Sequence, residues 1–447
     1  MATSDFGASS SNCSNSEKTV RYQTLNQANA AVVAELKKAR PRLVGVEPAE
    51  TCIPALRQGT TLLHAGPPIA WPDMTGPMQG AVLGACLFEG WATSAAAAEA
   101  LAASGRIRFL PCHDNLAVGP MGGITSPHMP VLVVRNAEHG NFAYCNLNEG
   151  IGKVMRFGAF EGEVQERLSW MRDVLGPVLA TALARNPEGI DLTALMAQAI
   201  SMGDEFHQRN IAASALLLKA LAADIAGSNA SAAAQGEVLR FLERTDQFFL
   251  NVAMAYGKCA LDAAAAVGEG SIVTAMTRNG RDFGIRVSGL GARWFTAPVN
   301  MPSGLFFSGY ASSDASPDIG DSAITECLGV GGAAMIAAPG VTRFIGAGGL
   351  AEALEICEEM REIYIDTNPS FPIPTWDFQG ACLGLDVRRV VETGITPVIN
   401  TGIAHRKAGI GQIGAGTVRP PIGCFEQALE ALAAKRGADS ATEFARS

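Results

Sequence analysis

From Glu163 to Ala266 apolar residues recur at helical spacing, strand-like alternation is scarce, and Asn186-Pro187-Glu188-Gly189 and the Ala226–Ser231 region interrupt the pattern. On both sides of this stretch the periodicity changes. Pro130–Val134 and Asn141–Cys145 flank the polar, Gly-ended run Asn136-Ala137-Glu138-His139-Gly140, which predicts a hairpin. Phe283–Val287 and Arg293–Phe295 around Ser288-Gly289-Leu290-Gly291 predict a second one. The expected fold is therefore α+β and multidomain, with sheet-containing N- and C-terminal regions around a central, mostly helical domain. A continuous parallel sheet is the alternative topology.

The chain has 447 residues, and single cores stop growing near roughly 250–300 residues, so several domains are expected. The divisions read as a polar tail over 1–24, an α/β region over 25–162, a helical domain over 163–267 and an α+β region over 268–447. In the first region a helix over Gln27–Ala39 leads into a strand at Leu43–Val46, and Thr61–His64 is a strand ended by Gly66-Pro67-Pro68. Small-residue helices follow at Gly76–Gly90 and Ser94–Ala103, then a strand at Ile107–Leu110. The last region carries a helix around Leu350–Glu362, a strand at Ile363–Ile365 and a helix over Phe425–Lys435.

Charge and motif content exclude whole classes of function. Acidic residues outnumber Lys and Arg by 43 to 34, giving a net charge of −9, and no basic run is longer than Lys37-Lys38. Such a surface repels a nucleic-acid backbone. With no secretory leader and no apolar membrane span, the expectation is a cytoplasmic protein. The 10 Cys are scattered, several within apolar patterns, as buried thiols are in a reducing compartment. No Cys-x2-Cys or His-Glu-x-x-His occurs, so neither a metal nor another cofactor is expected.

Chemistry is instead concentrated in polar loops rich in Gly and Pro. Glu47 and Glu50, at a strand exit, suit an ammonium or amide donor. Asp73 and Thr75 precede a helix, in a loop whose prolines fix its direction. His113 is a candidate proton shuttle with Asp114 beside it, and the amides of Gly122 and Gly123 are candidate anion donors. Cys112 reads as a buried thiol before a nucleophile. If Gly203–Asn210 is helical, Asp204 and His207 share a face, as do His207 and Asn210. Arg278 and Arg281 offer planar forks for an anion, while Asp318, Asp321 and Glu326 suit a cationic partner. Finally, His405, Arg406 and Lys407 lead into Gly411 and Gly414, a candidate phosphate or carboxylate cradle that lacks the Gly-Lys-Ser/Thr ending of a P-loop. Each of these also has a plain reading as a turn, cap or solvated patch.

Together the blocks Gly45–Thr51, His64–Gly76, Pro111–Pro127, Met202–Asn210, Met276–Gly291, Pro317–Gly346 and Pro369–Gly416 resemble, in order and over most of the chain, the YlbE-like family, a domain of unknown function. The resemblance implies a three-part architecture with a central helical domain. Some relatives look like one subunit of an oxamate carbamoyltransferase in purine-nitrogen catabolism, working with an FdrA-like subunit and a further partner. That implies a small anionic amide substrate and phosphate, exchanging oxalurate plus phosphate for carbamoyl phosphate plus oxamate, and self-association is also expected. On this reading Arg278, Arg281, Arg343, Arg406 and Lys407 form a local positive pocket, Gly122, Gly123, Gly411 and Gly414 supply backbone donors, and His113 or His405 gives acid/base help. Two other roles stay open: a small-acid-binding assembly subunit with no catalytic group, and a self-sufficient amidohydrolase.

Overall fold

The computed structural model describes residues 22–344 and 348–444; most of the expected polar tail, residues 1–21, lies outside the described residues. The first helix, Leu25–Lys38, begins two residues before the expected Gln27, because Thr24 and Gln27 form a reciprocal capping box. Strand β1 (Pro41–Pro48) follows, then β2 (Thr61–His64), and after the helices Gly76–Phe88 and Ala95–Ala103 comes β3 (Arg108–Pro111). Strands β2 and β3 pair in parallel, as the intervening helices allow. Next come β4 (Ala117–Val118), β5 (Pro130–Asn136) and β6 (Phe142–Asn146). The expected hairpin is present as the antiparallel pair β5 and β6.

The elements of the central stretch up to Ala265 are helices, except the two-residue strand β7 (Ile190–Asp191), which extends the N-terminal sheet to the order β4-β6-β5-β1-β7. Two residues are too few to leave a period in the sequence. The helix Phe248–Ala265 is buried on almost every side. It can be so because Ala253, Ala260 and Gly257 keep it narrow, letting β5 and β6 cross one face while Leu328 meets Gly257 on another. Burial of Phe248 and Phe249 contributes about 1.5–3 kcal/mol each.

The C-terminal region holds β8 (Val273–Asn279), β9 (Asp282–Val287), β10 (Phe295–Pro298), β11 (Ser303–Phe306) and β12 (Ile319–Gly320). The second expected hairpin is the antiparallel pair β9 and β10, inside a sheet of order β10-β9-β8-β12. Then come β13 (Tyr364–Ile373), β14 (Gln379–Leu385), β15 (Ile399–Ala404), β16 (Gln412–Val418) and the last helix, Gly423–Phe444. The fold is a mixed α/β one, with a mostly helical middle flanked by sheets. Its largest apolar core takes residues from all three stretches, among them Leu132, Leu217 and Phe425. Among the described residues no helix is long and apolar enough to cross a membrane.

The glycine cluster after His405 is not a flexible cradle. Gly411 leads into β16 and Gly414 lies within it, between β15 and β11. A Cβ on Gly414 would stand 2.4 Å from the Leu305 carbonyl oxygen, so close strand approach explains glycine there.

Candidate functional site

A cavity of about 180 Å³ opens where the three stretches meet. The N-terminal region gives Met121, Arg156 and Phe157 to its wall, the helical stretch His207, Gln208 and Gln247, and the C-terminal region Ser322, Gly402 and Gln412. Two non-glycine residues hold left-handed backbone here: Met121 on the wall, at φ 54°, and Phe206, the residue before the wall residue His207, at φ 73°. Such conformations are uncommon for bulky residues and concentrate where the surrounding structure imposes a functional geometry.

His207 does not lie on a helix face with Asp204 and Asn210, as its spacing suggested. Residues 203–210 form a turn between the helices Leu192–Ser201 and Ile211–Ala226. The turn is organised by Glu205, whose Oε1 accepts N–H groups from His207, Gln208 and Arg209, and whose Oε2 accepts from the Asn400 amide at 3.0 Å. Asp204 accepts the Ala213 N–H at 2.7 Å. His207 Nδ1 then meets both oxygens of the buried Glu326 carboxylate, at 2.8 and 3.1 Å. An ionised carboxylate only accepts, so beside it Nδ1 is the ring nitrogen that donates. Glu326 is itself fixed by the Gly332 N–H at 2.8 Å and the Thr325 hydroxyl at 2.9 Å. Gly331 permits this packing, since a Cβ there would stand 2.2 Å from Glu326 Oε1.

Burial pushes the Glu205 carboxyl up to about 7, against the pull of His207 and of the N–H groups it caps. The folded state therefore holds a proton on Glu205 that the unfolded chain, near the ordinary 4.5, has released. Between about pH 4.5 and 7 the unfolded state binds fewer protons, so this group makes stability fall as pH rises, levelling above about 7. Glu205→Gln should remove that fall, which a comparison of urea unfolding at pH 5 and pH 8 for both proteins would read. Equal pH dependence in the two would contradict it.

The other candidate residues are placed elsewhere. His113 is buried, its ring edge-on to Trp294 at 5.6 Å, with Nε2 3.7 Å from Asp321. Burial and the nearby Lys258 and Arg286 charges hold it well below the usual histidine range. Asp114 is paired with Arg286 rather than with His113. The Gly122 and Gly123 N–H groups are taken by the carbonyls of Arg156 and Pro120. His405 is buried beside Tyr310 and accepts the Lys407 N–H at 2.9 Å, while the Arg406 and Lys407 side chains point to solvent. Arg343 is exposed on the helix Pro339–Phe344. Asp73 pairs with Arg281 at the surface, and Thr75 precedes the helix Gly76–Phe88, its carbonyl accepting the Gln79 N–H at 2.8 Å while its side chain makes no capping bond. Glu47 lines a separate surface groove with His128, and Glu50 lies 3.7 Å from that histidine. Cys112 is buried and its thiol pushed well up.

The acidic trio has partners within the chain. Asp318 bonds Arg278 Nε at 2.6 Å, both fully enclosed. Asp321 staples three segments by accepting the Gly66 and Gly119 N–H groups, each at 3.0 Å, and the Thr277 hydroxyl. Among the described residues no three His, Cys, Asp or Glu side chains are grouped to hold a metal. Of the candidate residues, His207 alone lines the three-region cavity. Arg156 escaped sequence reading, although it is a lone charge inside the apolar run Val154-Met155-Arg156-Phe157.

Comparison with known proteins agrees with this architecture. A crystal structure of a conserved protein of unknown function from Enterococcus faecalis V583 superposes with a TM-score of 0.90 at 49% identity, over 92% of this chain and 98% of that one. The uncharacterized protein YahG of Escherichia coli K12 is 46% identical over 90% of this chain and 84% of its own length. The oxamate carbamoyltransferase subunit AllG of Escherichia coli K12 is 65% identical over 93% of this chain and 99% of its own. Residues 107–322, which carry Arg156, His207 and Arg278, match the family described as oxamate carbamoyltransferase subunit AllG, and at this identity and coverage the chain belongs to that family.

Proposed function

We propose that the chain is a catalytic subunit of a carbamoyltransferase that exchanges oxalurate plus phosphate for carbamoyl phosphate plus oxamate, with the three-region cavity as the reaction site and His207 as its proton carrier. The observation that carries this reading is the His207–Glu326 pair, in which a buried carboxylate holds Nδ1 of a histidine that lines the cavity, so that Nε2 is the nitrogen free for proton transfer. In the forward direction a phosphate oxygen attacks the ureido carbonyl carbon, and the bond from that carbon to the oxamate nitrogen breaks. His207 Nε2 takes the proton from phosphate and returns it to the leaving nitrogen, so the enzyme ends unchanged. Ser322 and the side-chain amides of Gln208 and Gln412 orient the polar ends of the substrate.

The relative's designation as a subunit means that partner chains complete the enzyme, and an FdrA-like subunit with one further chain is the assembly we propose. The test is phosphate-dependent carbamoyl transfer by the reconstituted complex, with wild-type chain and with His207 replaced. Ammonia release from oxalurate by the single chain without phosphate would mark an amidohydrolase instead. Full transfer by a complex carrying the His207 variant would mark an assembly role.

A further inference from the structure

We propose that Arg156 is the seat of a compact oxyanion, either the carboxylate of the amide acid or the phosphate, within the three-region cavity; this rests on that cavity being the reaction site. Arg156 is only 7% exposed, yet its guanidinium has no carboxylate within ion-pair distance among the described residues. Glu149, seven residues before it, is already committed: its two oxygens accept the N–H groups of Met155 at 2.9 Å and of Arg156 itself at 3.0 Å. One side-chain donor, Nη1, bonds Asn148 Oδ1 at 2.7 Å, while Nε and Nη2 take no hydrogen bond among the described residues. The residue nonetheless forms part of the cavity wall.

The buried Arg278 supplies the contrast. Its Nε, Nη1 and Nη2 all donate within the chain, to Asp318, to Gly320 and Ser322, and to Thr401. The fold thus satisfies one enclosed guanidinium and leaves the other, on a residue of the cavity wall, with open donors. A desolvated charge in that state is stabilised by an anion, and a planar fork fits a carboxylate or phosphate with two parallel bonds. The fork is also held in place. Asn148 is anchored through its own amide to Asn251 Oδ1 at 2.8 Å and to the Gln247 carbonyl at 2.9 Å. The side-chain amide of Gln208, also a lining residue, takes no hydrogen bond among the described residues and matches the amide end of a small keto-acid amide. At about 30 Å³ per water the space holds about six waters, enough for an acid of that size.

Calorimetric titration of the wild-type chain and of the reconstituted complex with oxamate, inorganic phosphate and the uncharged diamide oxamide tests this. Oxamate or phosphate should bind and oxamide should not, and the two anions titrated separately and in competition show which one occupies the seat. Arg156→Met should weaken that anion by about 10–100-fold, and Arg156→Lys, which keeps charge without the fork, by less. Thermal melts establish that each variant is folded. Should both fail to fold, co-crystals of the wild-type chain with oxamate or phosphate decide, because the anion must lie within hydrogen-bond distance of Arg156. An unchanged Kd in a folded Arg156→Met protein, an anion seated elsewhere, or no anion binding by chain or complex overturns the proposal. Failure of the functional reading looks different: transfer would survive loss of His207 while anion binding at Arg156 stayed intact.

Discussion

Replacing His207 by alanine should lower phosphate-dependent carbamoyl transfer by about 10²–10⁴-fold, the range expected when a positioned acid/base group is lost. The effect should fall on kcat, because the wall that binds substrate is left in place. Added imidazole should restore part of the rate by entering the space beside Glu326, which a purely structural role for the ring would not permit. His207→Gln keeps the size without a titratable nitrogen, and should be as slow and resistant to rescue. Glu326→Gln should cost less, about 10–100-fold, because it removes the charge that orients the ring and not the ring itself. Its amide would also point a donor at the Gly332 or Asn400 N–H, so its melt must be read beside its rate. Turnover of His207→Ala within about twofold of wild type would sink the assignment.

Much of the architecture is legible in the sequence because it is encoded locally. The hairpins β5–β6 and β9–β10 announce themselves by apolar runs around short Gly-containing turns. The strands that escape reading are those set by distant partners. β7 and β12 are two residues long, and β15 and β16 carry Gly402, Gly414 and Gly416, which read as loop until the neighbouring backbones are seen. A Cβ on Gly416 would meet the Ser303 carbonyl oxygen at 2.1 Å, and no local pattern encodes that contact.

The site follows the same division. Met202–Asn210 stands out as a polar block, but helical spacing misplaces its faces, because a buried carboxylate two residues before His207 folds the segment into a turn. The residue that orients His207 lies 119 positions away. Arg156 draws no notice within an apolar run, since its importance comes from what does not pair with it. Arg278 draws too much, because an arginine among polar neighbours in a predicted turn looks like an anion binder until Asp318 is found against it.

Arg278 accordingly separates a scaffold role from a ligand role by experiment. Its removal leaves the Asp318 carboxylate enclosed with the Thr401 hydroxyl, at 2.7 Å, as its remaining hydrogen-bond partner. Breaking a buried pair from one side costs about 3–5 kcal/mol, so Arg278→Met should lower the free energy of urea unfolding by that amount. Replacing both members by apolar residues, as in Arg278→Met with Asp318→Leu, should recover much of the loss, because no unpaired charge remains. Arg278→Lys should fall between, keeping the charge but unable to reach Asp318, Gly320, Ser322 and Thr401 together. An anion-binding Arg278 would give the reverse pattern, with weaker phosphate binding, little change in unfolding and no recovery in the double variant. The enclosed pair predicts that stability moves first, and that binding changes only through Ser322, which Arg278 holds at the cavity wall.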